Sequence, residues 1–125
     1  MVLDSFSTSN PMNFLTWLKD RCGVRGKATS LYRSGMIKAH HHDHQGAIRD
    51  YSQAIRLSEA PADLRAMALF NRALVYAALK DELKAIDDLK VVLAMRETPL
   101  DVRTEAKRKL ARMDRRSHAN GKNTP

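Results

Sequence analysis

Four histidines and an aspartate stand together in the middle of the sequence: His40, His41, His42, Asp43 and His44. Imidazole nitrogens bind zinc, copper and nickel, and His40 and His44 have the four-residue spacing that places two ligands on one face of a helix. Asp43, however, is a typical helix N-cap residue, and a helix that begins there separates the two histidines. The sequence therefore favours a polar turn between two helices. It leaves metal binding by the cluster open and assigns no metal site or cofactor.

No other group of residues forms a pattern typical of catalysis. Gly23, Gly26 and Lys27 superficially resemble a phosphate-binding loop, but that motif needs four residues between its glycines and a hydroxyl residue after its lysine. Cys22 has no motif around it. The paired acids Asp87 and Asp88 have lysines at helical spacing and are better explained as surface ion pairs. We therefore expect a protein that is not an enzyme.

Length and composition indicate one soluble domain or a short array of repeats. The chain has 125 residues, of which 43% are hydrophobic, 29% charged and 6% aromatic, so a disordered chain is excluded. A single cysteine excludes an intrachain disulfide scaffold. The longest apolar run, Ala73 to Leu79, is too short to cross a membrane, and no signal peptide is visible. These features predict a cytoplasmic protein without a membrane partner.

Positive charge is concentrated at the C-terminal end. The net charge is +8, and residues 96–125 carry nine basic and four acidic side chains. An excess of this kind favours an acidic partner, such as nucleic acid, an acidic peptide or an anionic surface. The alternative is a solvated helix face, because Arg and Lys are also good helix formers.

An internal repeat organises most of the chain. When residues 28–73 are aligned with residues 66–111, a shift of 38 positions, 13 of the 46 pairs are identical. The identical pairs include Ala47 with Ala85, Asp50 with Asp88, and Pro61 with Pro99. A period in this range is typical of supersecondary units that stack because none can bury its apolar face alone.

Each unit is predicted to contain two helices. Apolar residues recur at helical spacing, Asp43 is suited to capping a helix, and Pro61 and Pro99 are suited to starting one. The predicted helices span Thr29 to His41, Asp43 to Leu57, Pro61 to Leu79, Glu82 to Met95, and Pro99 to about Arg116. No strand pattern occurs, so the predicted fold class is all-α.

A further amphipathic helix is predicted ahead of the repeats, at about residues 11–22. Asn10 and Pro11 start it and Gly23 ends it. One side carries Phe14, Leu15, Trp17, Leu18 and Cys22. This stripe must be buried against something. Three arrangements of this helix remain open: the helix caps the first repeat, forms a dimer contact, or fills a groove of its own protein.

The repeat resembles the tetratricopeptide repeat (TPR) family. In that family's pattern small residues and one large residue recur at fixed spacing within a helix pair. The matching positions are Gly35, Ala47, Tyr51 and Ala54 in the first unit, and Ala73, Ala85, Leu89 and Val92 in the second. The period of 38 exceeds the family's 34 or so, and Ser34 and Arg72 replace large apolar residues, which predicts looser packing there.

The resemblance implies an antiparallel helix-pair solenoid of two TPR-like repeats, with an extra N-terminal helix and a C-terminal capping helix. The expected divisions are an N-terminal tail, helix and joint (1–27), a TPR-like domain (28–116), and a disordered tail (117–125). Within the domain, the repeats occupy about 28–61 and 62–98, and the capping helix 99–116.

The resemblance also implies a peptide-binding groove lined by the first helix of each pair. The corresponding positions are Tyr32, Met36, His40, Met67, Phe70, Asn71 and Leu74, with Arg108 and Arg112 as a cationic wall on the last helix. Asn71 matches one position of the family's carboxylate clamp, but Tyr32 and Met36 replace other clamp residues, so this clamp is not expected.

The expected function is therefore a protein-protein interaction scaffold that holds a peptide or helix of a partner, acidic or amphipathic in character. Two alternatives are a protein associated with nucleic acid or an acidic surface through its basic C-terminal helix, and a homo-oligomer whose groove is filled by its own chain.

Overall fold

The computed structural model describes residues 24–122, and five α-helices account for most of them. They are α1 (Val24–His40), α2 (His44–Arg56), α3 (Ala62–Ala78), α4 (Glu82–Ala94) and α5 (Leu100–Lys122). Residues 24–122 contain no strand, so the predicted all-α class is confirmed. The predicted helix at about 11–22 lies outside the described residues.

The helices pack mainly with their neighbours in the sequence. α1 packs against α2, α3 against α4, and the two pairs meet where α2 contacts α3. α5 contacts both α4 and α3, and α1 also contacts α3. The odd-numbered helices therefore form one row, in which α3 is the middle member, while the backbones of α2 and α4 do not approach each other closely.

The 38-residue repeat is visible in the backbone of the turns. His42 and Lys80 both adopt a left-handed conformation, with φ of 63° and 65°. Asp43 and Asp81 follow them, and their carboxylates accept hydrogen bonds from the main-chain N–H groups of Gly46 and Lys84, at 3.1 and 3.3 Å. Each pair of helices thus turns by the same device, an N-cap aspartate directly after a left-handed residue.

Equivalent arginines donate hydrogen bonds to the main chain of the connections between the helix pairs. Arg65 donates to the carbonyl oxygen of Leu57 at 3.0 Å, and Arg103 donates to that of Leu93 at 2.9 Å. These carbonyls lie at or near the C-terminal ends of α2 and α4, where the helix leaves its own carbonyls without partners. The identity of Arg65 and Arg103 in the sequence is therefore explained by a shared capping role.

The interior is built at the small and large positions that the repeat pattern singles out. All eight are buried: Gly35, Ala47, Tyr51, Ala54, Ala73, Ala85, Leu89 and Val92. Tyr51 and Leu89 occupy equivalent positions and are 2% and 0% exposed. The ring of Tyr51 lies so close to Gly35 that a Cβ atom there would stand 2.6 Å from Cε1 of the ring. Gly35 is thus required by close helix packing.

Polar pairs occupy the two positions where looser packing was expected. The hydroxyl of Ser34 donates to the carboxylate of Asp50, which also pairs with the ammonium of Lys38 at 2.9 Å. At the equivalent place in the second unit, the guanidinium of Arg72 donates two hydrogen bonds to Asp88, at 2.8 and 2.7 Å. The polar residues are therefore matched to each other across each helix pair, and each pair joins its two helices.

Two boundaries differ from the sequence-based expectation. Residues 24–27, expected to belong to a flexible joint, form the first turn of α1, where Gly26 is buried. α5 does not end near Arg116 but continues to Lys122, so residues 117–122 are helical rather than disordered. No proline interrupts this stretch, and its single Gly121 comes one residue before the end, so nothing stops the helix earlier.

Candidate functional site

A concave pocket of about 400 Å³ opens between α1 and α3. We call it the α1–α3 pocket. It is lined by Met36, Ala39, His42, His44, Tyr51, Asn71, Leu74, Val75 and Ala78. Met36 and Leu74 occupy equivalent positions in the two units and are 46% and 38% exposed. The repeat therefore places two large apolar side chains, one from each helix, on the open walls of the same pocket.

A hydrogen-bonded polar group lies beside these apolar walls. The amide nitrogen of Asn71 donates to the hydroxyl oxygen of Tyr32 at 2.9 Å. The ring of Tyr32 lies 6.0 Å from the ring of Tyr51, at an angle of 49°. The pocket thus combines an apolar surface with an amide and phenol groups that hold one another in place.

Burial makes both phenols harder to ionise. It raises the pKa of Tyr32, and the hydrogen bond from Asn71 opposes this only in part. Burial, with a smaller contribution from the neighbouring Tyr32, raises the pKa of Tyr51 to about 12. Ionisation of either phenol at neutral pH is therefore strongly disfavoured. The polar group by the pocket presents neutral donors and acceptors, which suit the main chain of a peptide.

The structure brings together only some of the residues that the sequence assigned to a groove. Met36, Asn71 and Leu74 line the pocket, and Tyr32 adjoins it through Asn71. Met67 instead packs against a small core cluster that includes Ala28 and Ala60. It belongs to the packing at the start of α3.

Phe70 and His40 were also assigned to the groove, but neither lines the pocket. Phe70 packs against the core cluster of α3, α4 and α5, which includes Leu89 and Ala106. Its ring is partly buried against this cluster. His40 is exposed at the end of α1, and its ring contacts that of His41 at 5.5 Å between centroids.

The predicted cationic wall is separate from the α1–α3 pocket. Arg108 and Arg112 are exposed on α5, and no residue of α5 lines the pocket. Arg108 forms an ion pair with Glu105 at 2.7 Å, one turn earlier in the same helix.

The histidine cluster forms the turn at the edge of the pocket. α1 ends at His40 and α2 begins at His44, so these two histidines do not share a helix face. Asp43 is engaged as the N-cap of α2, and the rings of His42 and His44 are 6.0 Å apart. Within residues 24–122, no three His, Cys, Asp or Glu side chains are arranged so that they could hold a metal ion.

The pocket lining also includes residues that were not expected in the groove, among them His42, His44, Tyr51 and Val75. His42 and His44 reach it because the left-handed residue at the turn reverses the chain beside the pocket. Tyr51 was predicted only as a packing position. The N-cap residue Asp43 was the sequence signal that places the two histidines at a turn.

None of the helices in residues 24–122 combines the length and apolar character needed to cross a membrane. The chain matches no protein-family model, no curated protein and no solved structure.

Proposed function

We propose that this chain is a non-enzymatic interaction module with a TPR-like solenoid arrangement, which binds a peptide or helical segment of another protein in the α1–α3 pocket. The repeated turns and the row formed by α1, α3 and α5 support the arrangement. The observation that carries the binding proposal is the exposure of Met36 and Leu74, at equivalent positions, on the open walls of one pocket.

The chemistry of the pocket fits a protein segment. Met36 is unbranched and flexible, so it can adapt to different apolar side chains. Covering Met36 and Leu74 would remove apolar surface from water, which is the main driving force for association. Asn71, held by Tyr32, is placed to hydrogen-bond the main chain of an entering segment. The apolar walls would supply affinity and the amide would fix orientation.

The same lining gives no support to a catalytic role. Besides its two histidines, the pocket lining contains no thiol, carboxylate or amine that a histidine could activate or assist. The phenol of Tyr51 has its pKa raised to about 12 and is a poor proton donor at neutral pH. We therefore assign the pocket to binding.

A selection from a random peptide library displayed on phage tests this proposal. Selected peptides would be synthesised with a fluorophore, and their affinity would be measured by anisotropy for the wild type and for Met36→Lys and Leu74→Lys. Each substitution places a charge on the pocket wall and should weaken binding at least about tenfold, or about 1.4 kcal/mol.

Leu83→Lys is the matched control, because Leu83 is an apolar residue of α4 that is 79% exposed and lies outside the pocket. The affinity of Leu83→Lys should stay within about twofold of the wild type, because surface substitutions usually change free energies by no more than about 0.5 kcal/mol. Peptides that bind all four proteins equally would refute the pocket as the binding site. A wild-type protein whose pocket is blocked by its own association would show a concentration-dependent mass in light scattering.

A further inference from the structure

The last turns of α5, after Met113, are exposed on all sides. Its last buried side chain is Met113, and every described side chain from residue 114 onward is exposed. Four arginines lie at helical spacing on one face of this helix. We call this the arginine face: Arg108, Arg112, Arg115 and Arg116. Positions separated by four, seven and eight residues are neighbours on a helix surface, so the four guanidinium groups share one side.

Some basic side chains on α1 and α3 have partners that neutralise or bind them. Lys38 pairs with Asp50, Arg72 with Asp88, and Arg65 donates to main-chain carbonyl oxygens. On the arginine face only Arg108 has an ion partner. The remaining three arginines form no ion pair in the described structure, and the nearby Asp114 faces His118 at 3.5 Å.

This arrangement is unfavourable for an isolated helix. Like charges four residues apart, such as Arg108 with Arg112 and Arg112 with Arg116, repel each other and destabilise a helix. A polyanion laid along this face would remove the repulsion and form charge-assisted hydrogen bonds with the guanidinium groups.

We propose that the arginine face binds the phosphate backbone of double-stranded DNA without reading its base sequence. Four residues of α-helix advance about 6 Å, so Arg108, Arg112 and Arg116 offer evenly spaced donors along the helix. Backbone phosphates need such donors and no apolar anchor, and this face offers no large apolar side chain. A protein partner would need a buried apolar or aromatic anchor.

The form of the nucleic acid follows from the shape and composition of α5. The helix has no Phe, Tyr or Trp between residues 100 and 122, and single strands are bound by stacking on such rings. The major groove of B-form DNA is wide enough to admit an α-helix, whereas that of an RNA duplex is deep and narrow. A helix exposed on all sides over its last turns suits the DNA duplex.

The test compares two variants of equal charge. In the first, Arg112→Ala, Arg115→Ala and Arg116→Ala are combined. In the matched control, Arg33→Ala, Arg49→Ala and Arg56→Ala remove three exposed arginines from α1 and α2. Alanine is the best helix former, so both variants should keep their helical circular dichroism. Binding to a fluorescein-labelled 20-base-pair DNA would be measured by anisotropy over a range of salt concentrations.

The α5 variant should bind DNA at least about tenfold more weakly than the wild type at about 100 mM salt, and its plot of log affinity against log salt should be shallower by about 2.7, because three phosphate contacts are lost. The control should retain most of the wild-type affinity and slope. The pocket variant Leu74→Lys should not weaken DNA binding, so this proposal and the proposed function can fail separately.

Several outcomes would overturn the proposal. Equal weakening by both triple variants would show that only net charge matters, and no binding by the wild type would remove the site. Tighter binding to a 20-base-pair RNA or to a single strand would contradict the choice of B-form DNA. Tighter binding to a polyglutamate peptide, lost in the α5 variant alone, would assign the face to an acidic protein.

Discussion

Removal of the Asp88 carboxylate is expected to cost more stability than any other single change to the polar pairs between helices. The pair of Arg72 and Asp88 is largely shielded from water, with side chains 19% and 9% exposed. Arg72 donates two hydrogen bonds to Asp88, at 2.8 and 2.7 Å, and a third to the hydroxyl of Ser52 at 2.9 Å. In Asp88→Ala the guanidinium stays in place but loses its counterion.

The magnitude follows from this burial. Removing one partner of a fully buried pair costs about 3–5 kcal/mol, and an exposed pair contributes about 0–1 kcal/mol. Because Arg72 keeps some contact with water, we expect Asp88→Ala to lower the free energy of unfolding by about 2–3 kcal/mol, between these limits. Urea denaturation followed by circular dichroism at 222 nm measures this difference.

The first unit supplies the matched control. Asp50→Ala removes the equivalent carboxylate, but its partners are the hydroxyl of Ser34 and the 38%-exposed Lys38, which can turn to water. We expect a loss of about 1 kcal/mol, since neutral and solvated partners are cheaper to leave unpaired. Combining Asp88→Ala with Arg72→Leu should recover part of the stability. Equal losses for the two aspartates, or strict additivity in the double variant, would refute the reasoning.

Three further predictions concern the core and the N-terminal segment. Burial raises the pKa of Tyr51 to about 12 in the folded state, against 10.0 in the unfolded state. The stability that this shift contributes is fully present below pH 10 and should fall as the pH rises toward 12. Urea denaturation at pH 9 and 11 measures this loss of stability, and Tyr51→Phe should make the loss smaller. Gly35→Ala should destabilise the protein by about 1–3 kcal/mol, since its Cβ would meet the Tyr51 ring at 2.6 Å. A melting temperature equal to that of Gly121→Ala, whose Cβ would meet no atom within 4 Å, would argue against this contact. If residues 11–22 cover apolar surface, deleting residues 1–22 should lower the melting temperature or raise the mass measured by light scattering, and no change in either would show the segment to be dispensable.

The repeat and its helices could be predicted from the sequence because their signals are local. Asp43 and Asp81 cap helices within their own turns, and Pro61 and Pro99 precede α3 and α5 directly. The end of α5 could not be located, because residues 117–122 contain no proline to stop a helix. A helix of Arg, Lys and Ala residues continues until its hydrogen bonds fray.

The candidate site was predictable only in part, because helical spacing does not say which neighbour covers a side chain. Met36 and Leu74 share their predicted face with Tyr32 and Phe70. Leu74 remains open at the α1–α3 pocket, whereas Phe70 is partly buried against the cluster of α3, α4 and α5. The difference depends on how α5 packs against α3, which is a tertiary contact. Phe70→Ala should consequently lower the stability of the protein, in addition to any effect that it has on binding.

The central claim is that a protein segment binds between Met36 and Leu74, and site-specific photo-crosslinking tests it most directly. A benzophenone amino acid would be placed at position 36 or, as the control, at position 83 on α4, and each protein would be irradiated with a display-selected peptide. The account predicts a covalent adduct from position 36, lost when unlabelled peptide competes, and none from position 83. Equal adducts from both positions, or adducts from position 83 alone, would contradict it.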